Sequence, residues 1–286
     1  MSATVWLVGA GPGDPELLTL KAVRVLAQAE VVLVDDLVNP GVLAHCPQAR
    51  LLRVGKRGGC RSTPQDFILR LMLRYARQGY RVVRLKGGDP YIFGRGGEEV
   101  AWLAERGVAC EVVGGMTAGL AAATLSGIPL TLRGEARGVT LMTAHTADGS
   151  QPDWPALVRG RTTLVLYMGV STLADTRRHL LGAGMPADMP VAMIEQASLP
   201  GQRQCRSSLG AMADDARAFR LRSPAILVVG EVAAWCRADA GEGGTVGMGA
   251  GIDTCAAGRV AAGAVSRLVP CPGPRRGRWP CARRPP

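Results

Sequence analysis

At 286 residues, 47% hydrophobic and 20% charged, the chain has the profile of a globular protein large enough to bury a core in two ordinary domains. The formal charge of +11 would suit an anionic partner, but Arg237 to Pro286 holds eight arginines against three acidic residues, so +5 of it lies in that stretch. Aromatic residues make up only 4%, too few for a base-stacking platform, and nucleic-acid binding is not expected.

No apolar run reaches the length of a membrane span, and Met1-Ser2-Ala3 leads almost directly into a strand. The expectation is a cytoplasmic protein without a secretory leader and without a membrane partner. The eight cysteines form no CxxC pair and no spacing with the three histidines that suits a metal site. Scattered free thiols and no metal are expected.

Thr4 to Gly9 reads as a strand, followed by the turn Gly9-Ala10-Gly11-Pro12-Gly13-Asp14. Asp14 suits a helix N-cap and Pro15 a first helical residue, predicting one helix from there to Leu26. The glycine spacing approaches a dinucleotide fingerprint. However, Pro12 and Asp14 place a rigid ring and a negative charge where a pyrophosphate would need free amides. A neutral or cationic ligand remains allowed, as does an ordinary tight turn.

Val31 to Val34 is the next strand and delivers Asp35-Asp36 to its carboxyl end, where ligands bind in open α/β sheets. Leu51 to Arg57 reads as a short strand ending in the basic pair Lys56-Arg57. Thr63-Pro64-Gln65-Asp66 is expected to cap a helix running to about Gln78, with Gly79 past its end.

The most informative stretch is Leu85 to Glu99, between the strand Arg81 to Leu85 and a helix beginning at Glu98. It carries five glycines in eleven positions, interleaved with Lys86, Asp89 and Arg95. Most strand-to-helix connections are only about 2 to 6 residues long. This one is long enough, and bare enough of side chains, to bring backbone amides close to a ligand.

Ala109 to Val113 is a further strand. Gly114 to Gly119 opens a small-residue helix, and Gly127-Ile128-Pro129 ends it. Val139 to Ala144 starts a second set of elements, and the polar Thr146 to Asp153 reads as a surface connection. Strands are expected at Thr163 to Tyr167, Val191 to Glu195, Gln204 to Ser208 and Ala225 to Val229, with helices near 172–182 and 211–219. Strand alternating with helix predicts parallel, helix-covered sheets. The expected division is an N-terminal α/β domain at 1–115 and a C-terminal α/β domain at 116–237. Residues 238–286, rich in Gly, Ala, Arg and Pro without a periodic apolar face, are expected to be disordered.

Val8 to Asp14, Val54-Gly55-Lys56-Arg57, Leu85 to Glu99, Thr117-Ala118 and Gly127-Ile128-Pro129 together resemble the tetrapyrrole methylase family. Within it, the long central motif is specific to members that methylate uroporphyrinogen III. The similarity spans residues 4 to about 235. Three positions depart from the family's habit: Asp36 stands where Arg is common, Leu132 where His is common, and Gly114 where Pro is common.

The resemblance implies two α/β domains with the cofactor cleft between them, S-adenosylmethionine as methyl donor, no metal, and uroporphyrinogen III as the small-molecule substrate, methylated at carbons 2 and 7. It further implies a homodimer. Carried over position by position, cofactor contacts fall on Pro12, Gly87, Gly88, Asp89, Ile92, Thr117, Ala118, Met168 and Ala197. Asp35 matches the proton acceptor and Lys56 the proton donor. The residues themselves leave alternatives open: core packing for Met168, helix capping for Thr117, and a substrate-carboxylate anchor for Lys56. They also leave open a later-acting methylase of the same fold, or a non-catalytic nucleotide-binding module.

Overall fold

A computed structural model of the chain describes residues 4–55, 63–144 and 150–237. Two five-stranded sheets organise them. The first contains β1 (Thr4–Gly9), β2 (Val31–Val34), β3 (Arg50–Arg53), β4 (Val82–Lys86) and β5 (Ala109–Val113), in the order β3-β2-β4-β1-β5. All its pairings are parallel. Alternate residues of β2 serve opposite faces, as strand geometry requires. Val31 and Leu33 pack with Ile68, Met72 and Leu103, whereas Val32 and Val34 pack with Ala22 and Leu26. β2 and β4 are buried along their whole length, the signature of parallel strands covered on both sides.

The covering helices follow from simple periodicity. α2 (Gln65–Arg77) buries Ile68, Leu69, Met72, Tyr75 and Ala76, one stripe at helical spacing, and stops at Gly79 with φ +85°. Pro64 occupies its N-cap place, and no side chain caps the helix. α3 (Gly96–Ala104) follows the glycine-rich loop, and α4 (Ala118–Leu125) follows β5.

One expected helix is broken in two. Residues Pro15–Leu17 form a 3-10 turn capped by Asp14, and α1 (Leu20–Leu26) starts afresh behind Thr19. Two side chains compete to start the helix. Asp14 Oδ1 accepts from Glu16 N at 2.9 Å and Thr19 Oγ1 from Ala22 N at 3.1 Å, so Leu18 and Thr19 stay extended between them.

The second sheet contains β6 (Val139–Thr143), β7 (Thr163–Tyr167), β8 (Pro190–Glu195), β9 (Arg203–Ser208) and β10 (Ala225–Val229), in the order β6-β7-β10-β8-β9. The expectation of parallel pairing fails here. Only β6 and β7 run parallel, while β10 is antiparallel to β7 and β8, and β8 to β9. The connection 196–202 carries Pro200 and Gly201 and no helix, so β8 and β9 form an antiparallel pair without a crossover.

A short helix at Trp154–Arg159, α5, was not expected from the sequence. Asp153 caps it by accepting from Ala156 N at 3.0 Å, and Pro155 lies in its first turn, the start signal that Asp-Trp-Pro carries. α6 (Leu173–Gly182) and α7 (Met212–Phe219) pack on one face of the second sheet through Leu180 and Met212. α4 packs on the other face, where Ala122 and Ala123 meet Val165, Ile194 and Val228. Lys56-Arg57, part of Thr146 to Asp153, and the stretch 238–286 lie outside the described residues. No helix among the described residues is long and apolar enough to cross a membrane.

Candidate functional site

The strands β1, β4 and β5 deliver three glycine-bearing turns to one end of the first sheet, and these turns lock together by backbone. Ala10 N donates to Lys86 O at 2.7 Å, Gly11 N to Gly88 O at 3.2 Å, and Gly88 N to Gly11 O at 2.7 Å. A Cβ on Gly9 would fall 2.6 Å from Gly88 O and 2.7 Å from Gly115 Cα, so packing rather than dihedral freedom demands glycine there. Gly88, at φ +67°, needs glycine for conformation as well.

Asp89 fastens the arrangement. Its Oδ1 accepts from Tyr91 N at 2.8 Å and its Oδ2 from Gly115 N at 3.0 Å. The carboxylate expected to face a ligand thus holds the central loop to the turn after β5. Gly87 approaches the other side, where an added Cβ would lie 3.2 Å from Leu37 Cβ.

The connection between β8 and β9 packs against these turns. Ser198 Oγ accepts from Asp14 N at 3.0 Å, and a Cβ on Gly13 would lie 2.8 Å from Leu199 Cδ2. Asn39 Nδ2 donates to Gly13 O at 2.7 Å, so the turn carrying Pro12 is pinned from both sides. Ala197 is buried in the same cluster that receives Ile92 and Ala118. Thr117 takes the N-cap position of α4 but makes no cap bond. Its hydroxyl instead pairs with Tyr167 OH at 2.8 Å, and that phenol oxygen also accepts from Gly119 N at 2.8 Å. Phe93 packs on the Tyr167 ring with centroids 4.8 Å apart. Burial pushes the Tyr167 phenol above its usual range, against the pull of the Thr117 and Gly119 bonds.

Met168 follows Tyr167 at φ +55° and is 50% exposed, so it is not a core side chain. Gly88, Asp89, Ile92, Thr117, Ala118 and Ala197 are thus linked through the glycine turns, the Tyr167 hydroxyl and one apolar cluster, while Pro12 lies in the pinned turn and Met168 next to Tyr167.

Asp35 stands at the carboxyl end of β2, its amide donating to Leu85 O at 3.0 Å. Its side chain is 35% exposed, with Oδ2 3.2 Å from Arg84 Nη2. Asp36 is exposed, and its backbone packs on Gly55. Lys56 itself is outside the described residues.

Behind Asp35 lies a charged cluster that sequence reasoning missed. Arg84 and Lys86 occupy alternate positions of β4 and point toward α2 and α3. Glu99, the fourth residue of α3, is 0% exposed; its Oε1 lies 3.4 Å from Arg84 Nε and 3.2 Å from Lys86 Nζ, and accepts from Gln65 Nε2 at 2.9 Å. Burial and the Arg84 charge lower the Lys86 ammonium below the ordinary lysine range, while Glu99 and Asp35 pull it back up. The available signal was the pair of cations interrupting an otherwise apolar buried strand, followed by Glu98-Glu99 at a helix start.

On β5, burial and the Glu99 charge raise the Cys110 thiol from 9.0 to about 12. Between those values the folded chain keeps a proton that the unfolded chain gives up, so this group's contribution to stability falls as pH rises through 9.0. The expected slope is at most about 1.4 kcal/mol per pH unit. Denaturation of the parent and of Cys110→Ala on either side of pH 9.0 should show the smaller loss in the variant. Among the described residues, no group of three or more His, Cys, Asp or Glu is placed to hold a metal ion.

The family model of the tetrapyrrole (corrin/porphyrin) methylases matches residues 4–213, and the chain belongs to that family. Among its relatives, the chain is 68% identical over 232 residues to the uroporphyrinogen-III C-methyltransferase of Pseudomonas aeruginosa, covering 81% of this chain and 95% of that protein. It is 48% identical over 234 residues to the siroheme synthase of Gluconobacter oxydans, of which it spans 50%. Among solved structures, it superposes on the uroporphyrin-III C-methyl transferase from Thermus thermophilus complexed with S-adenyl homocysteine. That match has TM-score 0.71 and 45% identity, and covers 81% of this chain and 99% of that one.

Proposed function

We propose that this chain is an S-adenosylmethionine-dependent methyltransferase that methylates uroporphyrinogen III at carbons 2 and 7, giving precorrin-2 for sirohaem and cobalamin synthesis. The observation that carries the reading is the crossing of the Gly9, Gly88 and Gly115 turns at the strand ends, in a chain 68% identical to a uroporphyrinogen-III C-methyltransferase.

The residues suit the methyl donor. The turns expose backbone rather than side chains, and Asp14 and Asp89 bring negative charge, which favours a sulfonium over a phosphate. Pro12, Gly87, Gly88, Asp89, Ile92, Thr117, Ala118, Met168 and Ala197 are its proposed seat. S-adenosylmethionine supplies an electrophilic methyl group. A nucleophilic pyrrole carbon forms the new C–C bond as the S–C bond breaks, and S-adenosylhomocysteine departs. The protein's main task is to hold donor and acceptor in line. Asp35 receives the proton that the methylated ring sheds, and Lys56 serves as proton donor or as anchor for a substrate carboxylate. The reading includes α/β domains at 1–115 and 116–237, a homodimer, and work in the cytoplasm.

Anaerobic incubation with uroporphyrinogen III and S-adenosylmethionine, followed by mass analysis, should give a product heavier by two methyl groups. Methylation of precorrin-2 with uroporphyrinogen III left unchanged would overturn the reading in favour of a later-acting methylase.

Asp89→Ala frees the central loop from the turn after β5 by removing the bonds to Tyr91 N and Gly115 N, and the energy of about one charge-assisted bond, about 1.5 to 3 kcal/mol, is expected to be lost from donor binding. S-adenosylmethionine affinity is expected to fall roughly ten- to a hundredfold. Asp89→Asn, which keeps one acceptor oxygen, should lose less. Equal calorimetric affinities in parent and Asp89→Ala would remove the residue from the site.

A further inference from the structure

The buried cluster behind Asp35 is expensive. Each ion taken out of water costs several kcal/mol, and well-packed apolar residues would often serve a fold as well or better. Its charges balance only when Asp35 is included. Arg84 and Lys86 carry two positive charges, Glu99 carries one negative charge, and Asp35 supplies the fourth. Arg84 and Glu99 are 2% and 0% exposed, whereas Asp35 opens to solvent at the end of β2 beside the glycine turns. The planar guanidinium is fixed on two sides, by Glu99 at 3.4 Å from Nε and by Asp35 at 3.2 Å from Nη2. A rigid fork of this kind sets direction as well as charge. Gln65, from the first turn of α2, in turn steadies Glu99.

We infer that Arg84 is a positioning residue for the methyl transfer: held by Glu99, it orients the Asp35 carboxylate toward the bound tetrapyrrole. This rests on the reading of Asp35 as proton acceptor. Arg84 touches neither substrate nor donor and acts only through Asp35. Its loss should therefore change turnover without changing the donor's seat.

A double-mutant cycle on the full chain separates the possibilities, with turnover, KM and S-adenosylmethionine affinity measured for each protein. Arg84→Lys keeps the charge but cannot reach both carboxylates, and should lower kcat roughly 10- to 100-fold with donor affinity unchanged. In an Asp35→Asn background the same substitution should change kcat by less than about twofold, because the group it orients is already gone. Arg84→Gln combined with Asp35→Asn removes one charge of each sign and keeps the interior balanced, so it guards against failure to fold. It should turn over as fast as Asp35→Asn alone. A full additional loss in either double variant would overturn the inference while leaving Asp35 as the base. Unchanged turnover in Asp35→Asn itself would instead overturn the assignment of Asp35.

Discussion

Gly115→Ala is expected to cost the protein most of its S-adenosylmethionine affinity, together with a clear drop in melting temperature. The added methyl would overlap the carbonyl oxygen of Gly88 and lie 2.9 Å from Gly9 Cα. Both neighbours are backbone, so neither can rotate away as a side chain would. Relief requires the turns after β1 and β4 to part, which breaks the Gly11–Gly88 pairing, or requires Gly115 to withdraw from Asp89. Overpacking of this kind costs about 1–3 kcal/mol, to which the lost hydrogen bonds add. Donor affinity should fall about a hundredfold or more. Gly97→Ala is the matched control. Gly97 lies in the first turn of α3 with open space where its Cβ would be, and alanine there should be neutral or stabilise by up to about 1 kcal/mol. Unchanged calorimetric affinity in Gly115→Ala would mean that the three turns are not the donor's seat.

What could be read from the sequence was what neighbouring residues decide. The parallel first sheet followed from apolar runs alternating with amphipathic helices. The turn at Gly9 to Asp14 and the loop from Leu85 to Glu99 declared themselves by glycine content. Two other features depend on partners distant in the chain. The direction of β10 is set by its place between β7 and β8, not by its own residues. Arg84 read only as part of a strand and Lys86 as a charge of the glycine loop, because nothing local shows that Glu99 and Gln65 close over them. Thr117 had the sequence of a helix cap, yet Tyr167, fifty residues on, takes its hydroxyl. Asp89 was read as a ligand-facing carboxylate, and its place as a clamp was not legible, since the amide of Gly115 reaches it only through the fold.

Asp35→Asn should reduce methyl transfer by about 10²-fold or more, the usual scale for losing a positioned acid or base. Methylation at a pyrrole carbon leaves a cationic ring that must rearrange or shed a proton, and a carboxylate at a strand's carboxyl end can take that proton or stabilise the charge. The amide keeps the shape of the side chain but cannot act as a base. Donor binding should persist, because Asp35 hydrogen-bonds to Leu85 and pairs with Arg84 rather than with the glycine turns. Asp36 provides the internal comparison. It is the next residue and carries the same charge, but it is exposed, with its backbone against Gly55 and no ion pair among the described residues. Asp36→Asn should change turnover by less than about threefold, the scale of a surface charge. Single-turnover transfer of a labelled methyl group, measured with saturating donor, reads the chemical step directly. Equal, small effects of the two substitutions would mean that Asp35 has no catalytic role, and that the charge behind it on Arg84 serves only the fold.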